Sequence, residues 1–169
     1  MPNQTDNKPF CGIRTVVTTS ASFDTVCQRL RDQMGTATVQ DIVALAQMPI
    51  SQADYVALVD ERFVGKSGFM LFAEIDHGGW LHVFSLHRRT VRWVLGNPLI
   101  AVTIIRHDIT AGLFAPVEIL ITEAQDGQGT TVTYVRPSSQ MVIEENPSLL
   151  AAAIALDIKF DRLVAQATA

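Results

Sequence analysis

Apolar positions along the chain switch between two periods, and the switches mark out the elements. Residues 13–19 (IRTVVTT) are β-branched and predict a strand. Ser22 then stands as an N-cap before Phe23, Val26, Cys27, Leu30 and Met34. These fall at i, i+3, i+4, i+7 and i+11, so the helix has one apolar face. Gly35 closes it as a C′ glycine. Residues 38–47 start Thr-x-x-Asp and predict a short helix that Pro49 ends. Ser51 and Asp54 repeat the signal for a helix reaching about Val64. Residues 69–76 (FMLFAEID) are apolar almost throughout, which predicts a central strand covered on both faces at its start. His77-Gly78-Gly79 breaks it, and residues 80–85 fit either a strand or a turn of helix.

Residues 89–95 (RTVRWVL) predict a strand with Val91, Trp93 and Leu95 on one face and Arg92 and Val94 on the other. Gly96-Asn97-Pro98 follows, combining backbone freedom, a good N-cap and a proline suited to the first helical position. The helix it opens, residues 99–107, is apolar on most sides and should be buried. A loop containing Gly112 covers residues 108–116. Residues 117–123 (VEILITE) and 130–135 (TTVTYV) flank an Asp126-Gly127 turn and predict a hairpin, which Pro137 and Ser138 end. Asn146-Pro147-Ser148 opens a last helix to about Ala165, with Leu149, Ala153, Leu156, Phe160 and Leu163 apolar. Strands in hairpin-like pairs, with helices between the groups, point to an α+β fold: an antiparallel-rich sheet with helices on one face. A flexible polar tail over residues 1–11 precedes a single α+β domain over residues 12–169, with a helical insertion at about 38–64 after the first helix.

Composition narrows the function classes. Hydrophobic residues are 48% and charged residues 18% of the chain, enough for a sizeable core and unlike a disordered chain. Thirteen basic residues against 17 acidic ones, a net charge of −4, argue against a nucleic-acid partner, whose phosphates demand a basic surplus. The longest strongly apolar run, residues 149–156, is far short of the about 20 residues that span a bilayer. No membrane partner is therefore expected. The first ten residues hold no apolar signal segment, and Cys11 and Cys27 form no CxxC, so a reducing, cytoplasmic setting is the default. Cys27, on the apolar helix face, reads as a buried thiol.

A strand ending in Ile75-Asp76-His77, Gly96-Asn97-Pro98, the segment Ala111-Gly112-Leu113-Phe114-Ala115-Pro116 and a Tyr134-x-x-Pro137 turn form an ordered set. With this set the chain resembles the domain-of-unknown-function family 302, over roughly residues 12–165. The resemblance implies a TATA-binding-protein-like fold, a curved antiparallel sheet with helices on one side, and assembly as a homodimer. It implies no established activity. Two departures stand out: the helix pair at 38–64 replaces a simpler connection, and residues 80–89 replace a more helical, alanine-rich stretch.

Several residues are candidates for chemistry. His77, following Asp76 at a strand mouth, is the natural proton carrier near neutral pH. The two need not touch, because neighbours on a strand point to opposite faces. Arg106, at the end of the Gly96-Asn97-Pro98 helix, either complements the helix C-terminus or holds an anion bidentately. His87-Arg88-Arg89 with Arg92 is the one basic cluster; it keeps a strand soluble or clamps an anion. Tyr134 and Arg136, two residues apart, share a face and offer ligand contacts; Trp80 and Trp93, with Phe84 and Phe114, are aromatics available to line a pocket. The four histidines make no metal motif, and P-loop, GxGxxG and GxSxG patterns are absent, so no metal and no cofactor is expected.

Three functions fit. The leading one is binding of a small organic ligand in an apolar pocket. The second is a cofactor-independent isomerase, cyclase or hydrolase with His77 as acid or base and an arginine stabilising negative charge. The third is a non-catalytic dimeric interaction module. A pocket joining His77, Arg106 and Tyr134 would favour the first two. The relative direction of two strands also matters. Were the strands carrying His77 and Gly96 parallel, both motifs would share one sheet end; as antiparallel neighbours they would sit at opposite ends.

Overall fold

The computed structural model describes residues 3–169; Met1 and Pro2 of the expected tail lie outside the described residues. In chain order the elements are β1 (Arg14–Thr19), α1 (Phe23–Gln33), β2 (Gly35–Thr36), α2 (Val39–Ala46), α3 (Gln52–Phe63), β3 (Met70–Asp76) and α4 (Gly78–Leu81). A 3₁₀ turn (His82–Phe84) leads to β4 (Thr90–Gly96) and α5 (Pro98–Ile105). A second 3₁₀ segment (Ile109–Phe114) precedes β5 (Val117–Glu123), β6 (Thr130–Val135), α6 (Pro137–Met141) and α7 (Pro147–Thr168).

Local chemistry sets the helix starts. Ser22 accepts from the Thr25 amide, and Thr38 and Ser51 each complete a capping box with Asp41 and Asp54. Each box satisfies two backbone donors that the helix itself leaves unpaired. The Thr38 contacts also hold the Asp41 carboxyl below its usual range. Asn97 and Asn146 cap α5 and α7, each followed by a proline in the first turn.

The fold is mixed α+β. Its six-stranded sheet has the order β1-β6-β5-β4-β3-β2 and is antiparallel except where β2 pairs parallel with β3. Val91, Trp93 and Leu95 of β4, Val117, Ile119 and Ile121 of β5, and Val132 and Tyr134 of β6 face one side and are buried under α1 and α7. Trp93, Phe69 and Phe160 are its largest fully buried side chains, each worth about 1.5–3 kcal/mol in transfer free energy. Met70 and Phe72 alternate to the other face and pack with Leu45, Val59, Tyr55 and Leu99, mostly from α2 and α3. The expectation of helices on one face is thus corrected at this edge. The 38–64 helix pair covers the start of β3 from the opposite side, because an apolar strand start must be shielded on both faces.

Other expectations change with the packing. The strand at 69–76 is not central: its outer neighbour β2 is two residues long, so Ala73–Asp76 is edge and exposed. Residues 80–85 form helical turns, not strand. Residues 98–105 are helical but only Ile104 is fully buried, and Val102 is exposed, because the helix covers a sheet end rather than entering the core. The loop at 108–116 is largely a 3₁₀ segment capped by Asp108. Pro137 does end β6, yet it also starts α6. Gly35 does not adopt a left-handed cap; it joins β2. A Cβ there would stand 1.8 Å from the Phe63 carbonyl oxygen, so close backbone approach is what requires glycine.

Candidate functional site

β3 and β4 are antiparallel neighbours: Met70 pairs with Gly96, and Asp76 with Val91. His77 and the Gly96-Asn97-Pro98 turn therefore sit at opposite ends of the same strand pair, and each end has its own hollow.

The hollow at the Gly96 end is apolar. The missing side chain of Gly96 lets β4 end against Pro116 and Phe72; a Cβ there would lie 3.1 Å and 3.2 Å from their nearest carbons. Asn97 donates through Nδ2 to the Gly68 carbonyl at 2.9 Å and accepts through Oδ1 from the Leu99 amide at 2.8 Å. One side chain thus ties the turn to the start of β3 and caps α5. Beneath it lies a cavity of about 190 Å³. Ile100, Ala101, Ile104 and Ile105 of α5 form one wall, Val39 and Ile42 of α2 another, and Phe69, Phe72, Ala115, Pro116, Val117 and Leu156 the rest. Asn97 is the one polar side chain on that lining, and both ends of its amide are already engaged.

The hollow at the Asp76 end is a polar cleft of about 530 Å³ between α1 and the β3–β4 edge. Arg31 reaches Glu74 at 2.6 Å, and Arg89 holds Asp24 at 2.5 Å while lying over the Phe23 ring. The Arg89 hydrogen bonds hold the Asp24 carboxyl below its usual range. His87, Arg88 and Asp76 complete the polar wall, and Cys27 lies on the apolar floor. Burial pushes the Cys27 thiol up to about 11, so it stays protonated and is no nucleophile at neutral pH. On the uncovered sheet face a third hollow, about 590 Å³, surrounds the Arg92–Glu118 ion pair beside Arg14, Leu120 and Thr133.

The candidate residues do not converge. Asp76 accepts from the Gly79 amide at 2.9 Å and so caps the turn below it. His77 meets the Trp80 ring edge-on at 6.0 Å, and no hydrogen bond joins it to Asp76 among the described residues. Trp80 is half exposed on the β3–β4 connection. Trp93 is fully buried, with the Arg31 guanidinium 4.7 Å over its ring and its indole nitrogen without an acceptor. Arg106 folds back on its own helix, donating to the Val102 carbonyl at 3.2 Å. Tyr134 and Arg136 do come together, but on α7. The phenol donates to Asp161 at 2.5 Å and Arg136 reaches the same carboxylate at 3.2 Å. Burial, and then the Asp161 contact, push the Tyr134 phenol up to about 12. Among the described residues, none of the three hollows joins His77, Arg106 and Tyr134.

The model for "Domain of unknown function DUF302" matches residues 46–167. The chain belongs to the DUF302 family. Among solved structures it is similar to the crystal structure of an uncharacterized conserved DUF302 protein from Bacillus stearothermophilus. The identity is 15% and the TM-score 0.62, over 91% of this chain and 97% of that one. At that identity the likeness speaks for the fold. No curated protein matches the chain.

Sequence reasoning missed Ile42, Phe72, Ala101 and Leu156 as cavity residues. A signal existed: Gly96-Asn97-Pro98 and Ala115-Pro116, two of the DUF302 markers, both line the cavity. Asp157 and Asp161 were missed as well. Asp157 is buried on α7 and accepts from the Ser138 amide and hydroxyl at 2.9 Å and 2.6 Å. Carboxylates four residues apart, set among the apolar positions Leu156, Phe160 and Leu163, were the available clue.

Proposed function

We propose that this DUF302 protein binds a small, neutral, hydrocarbon-like molecule in the cavity under the Gly96-Asn97-Pro98 turn. The observation that carries this reading is the lining: apolar throughout except for Asn97, whose amide nitrogen and oxygen each already hold a backbone partner. A charged ligand would enter without a partner, at a desolvation cost of several kcal/mol. An uncharged apolar one gains the transfer free energy of its own surface, about 25 cal/mol per Å².

The acid–base reading finds less support. No titratable side chain lines this cavity. The homodimer expectation has the uncovered sheet face in its favour, where Val16 and Ile75 are exposed. The TATA-binding-protein-like class is favoured by α1 and α7 on one sheet face, and disfavoured by α2 and α3 at the far side of β3.

Toluene is a suitable probe. At a hundredfold excess over Kd, a ligand restricted to the folded state adds about 2.7 kcal/mol of stability, which raises Tm by several degrees in a chain of this size. Ala101→Phe, filling the cavity from α5, is expected to remove that rise while leaving the circular dichroism spectrum unchanged. A wild-type Tm indifferent to toluene, or a rise that survives in the filled variant, would overturn the reading.

A further inference from the structure

Helix α7 is apolar on two sides. Its buried side holds Leu149, Ala153, Leu156, Phe160 and Leu163. On the other side Leu150, Ile154 and Ile158 follow one another at four-residue spacing and are 42%, 43% and 55% exposed. That spacing stacks them in one row. Ala151 and Ala155 stand exposed beside the row and let another backbone come close. From Pro147 to Ile158 no exposed position of the helix is charged. Asp157, the one acidic residue in that stretch, is buried and bonded to Ser138. A surface helix normally carries polar residues on its outer face, so an outer row of Leu and Ile marks a contact surface.

The two ends of the row carry opposite charge. Beyond Ile158 the exposed positions are Lys159 and Arg162, and no carboxylate lies within ion-pair distance of either among the described residues. The nearby Asp161 is engaged by Tyr134 and Arg136, and the Ala169 main-chain oxygen accepts from Arg29 at 2.6 Å. Before the row come Glu144 and Glu145. Lys8 pairs with Glu144 and also feels Asp6 and Asp108, so one cation serves three carboxylates. Glu145 is exposed and has no ion-pair partner among the described residues. Arg106 folds back on its own helix. One end of the row is therefore basic and the other acidic, with an uncharged apolar span between them.

We propose that this face of α7 binds the same face of a second copy of the chain, the two helices running antiparallel about a twofold axis at Ile154. Positions eight residues either side of Ile154 then meet. Arg162 of each copy comes to Asn146 of the partner subunit, beside Glu145 of the partner subunit. A parallel pairing would set like charges together, whereas reversal sets each basic end on an acidic one. A partner of another kind would need this inverse charge pattern; a second copy already has it. Such an interface is isologous and closes at two copies. The uncovered sheet face fits a second copy less well. Its exposed Val16 and Ile75 lie on β1 and β3 with three strands between them, and its central Arg92 and Glu118 are paired with each other. Leu156, the α7 residue in the ligand hollow, is on the buried side of the helix, so this inference and the ligand reading fail separately.

The test is sedimentation equilibrium of the full chain from about 5 to 500 µM. One helix face makes a small interface, so a monomer–dimer equilibrium with Kd of about 10–100 µM is expected, weakening with added salt. Ile154→Asp, which sets two carboxylates against each other at the axis, should weaken dimerisation by about tenfold or more. Melting curves at 5 µM or about that concentration check that the variant folds; should it not, Ile158→Ser carries the same test. Arg162→Glu should weaken the dimer about fivefold, and the exchanged pair Arg162→Glu/Glu145→Arg should restore it. In a Cys11→Ser background, Ile154→Cys should form a disulfide-linked dimer on mild oxidation, and Val16→Cys on the sheet face should not. A chain that stays monomeric throughout overturns the proposal. So does a dimer that ignores Ile154→Asp, or one that Val16→Cys cross-links as readily, since another face then joins the copies. Failure of the exchanged charges to restore the dimer overturns the antiparallel arrangement.

Discussion

The two ends of the β3–β4 pair are built from the same two strands and differ in almost everything else. At the Met70–Gly96 end, α2, α3 and α5 pack around apolar side chains and leave an apolar hollow of about 190 Å³. At the Asp76–Val91 end the strands run past their covering helices, and the hollow is walled by ion pairs. Polar groups at the first end are satisfied by the fold itself, as Asn97 is. Those at the second end meet water. A polar cleft looks more like a site, yet its carboxylates are already engaged, Glu74 by Arg31, Asp24 by Arg89 and Asp76 by the Gly79 amide. The Gly96 end is where the fold leaves space without polar demands.

This contrast predicts unequal stability at the two ends, and three experiments can break or sharpen it. Gly35→Ala should have the largest effect. It forces a Cβ into the Phe63 carbonyl, where β2 and α3 meet the start of β3. A loss of about 4 kcal/mol or more is expected in urea unfolding, along with loss of toluene binding. A loss near that of an ordinary surface substitution would show that the Gly96 end yields easily.

Glu74→Gln should cost far less. It breaks the Arg31 ion pair across the polar cleft, whose partners are 45% and 37% exposed. Exposed pairs contribute about 0–1 kcal/mol and are screened by salt, so urea unfolding should move by less than about 1 kcal/mol and the difference should shrink at high ionic strength. A multi-kcal/mol loss would make the cleft a structural element equal to the cavity.

The smallest effect concerns the cleft floor. The Cys27 thiol is raised from 9.0 to about 11, first by burial. A group whose folded pKa lies above its unfolded value contributes stability that is present below the unfolded pKa and lost as pH rises through the folded one. Stability should therefore decline between pH 9 and about 11, and Cys27→Ala should flatten part of that decline in alkaline melting curves. Iodoacetamide at neutral pH should label exposed Cys11 and spare Cys27. Rapid labelling of Cys27 would mean that the cleft is wet to its floor.

Much of the fold was legible because its signals are local. Ser22, Thr38, Ser51, Asn97 and Asn146 each cap the helix their position predicted. The alternation of Val91, Trp93 and Leu95 named the buried face of β4. The stretch at 80–85 was ambiguous because its apolar residues face water and so carry no buried period to read. The candidate site was legible only in part. Polarity drew attention to His77, Arg106 and Tyr134, and their partners turned out to be a neighbouring ring, their own helix and Asp161. A cavity lined mostly by Ile, Phe, Ala and Pro is marked in the sequence only by its Gly96-Asn97-Pro98 and Ala115-Pro116 segments.

The sequence by itself determined the longer helices and strands, which of their residues share a face and where most of them end, since these follow from spacing and caps a few residues long. It also contained the DUF302 markers in order. Only the tertiary structure decided that β3 and β4 pair antiparallel, sending His77 and Asn97 to opposite ends, and that α2 crosses to the far face to wall the cavity. Strand pairing and helix placement depend on contacts between residues far apart in the chain. Periodicity tells which side chains lie together on a face and leaves open which ends of the strands meet.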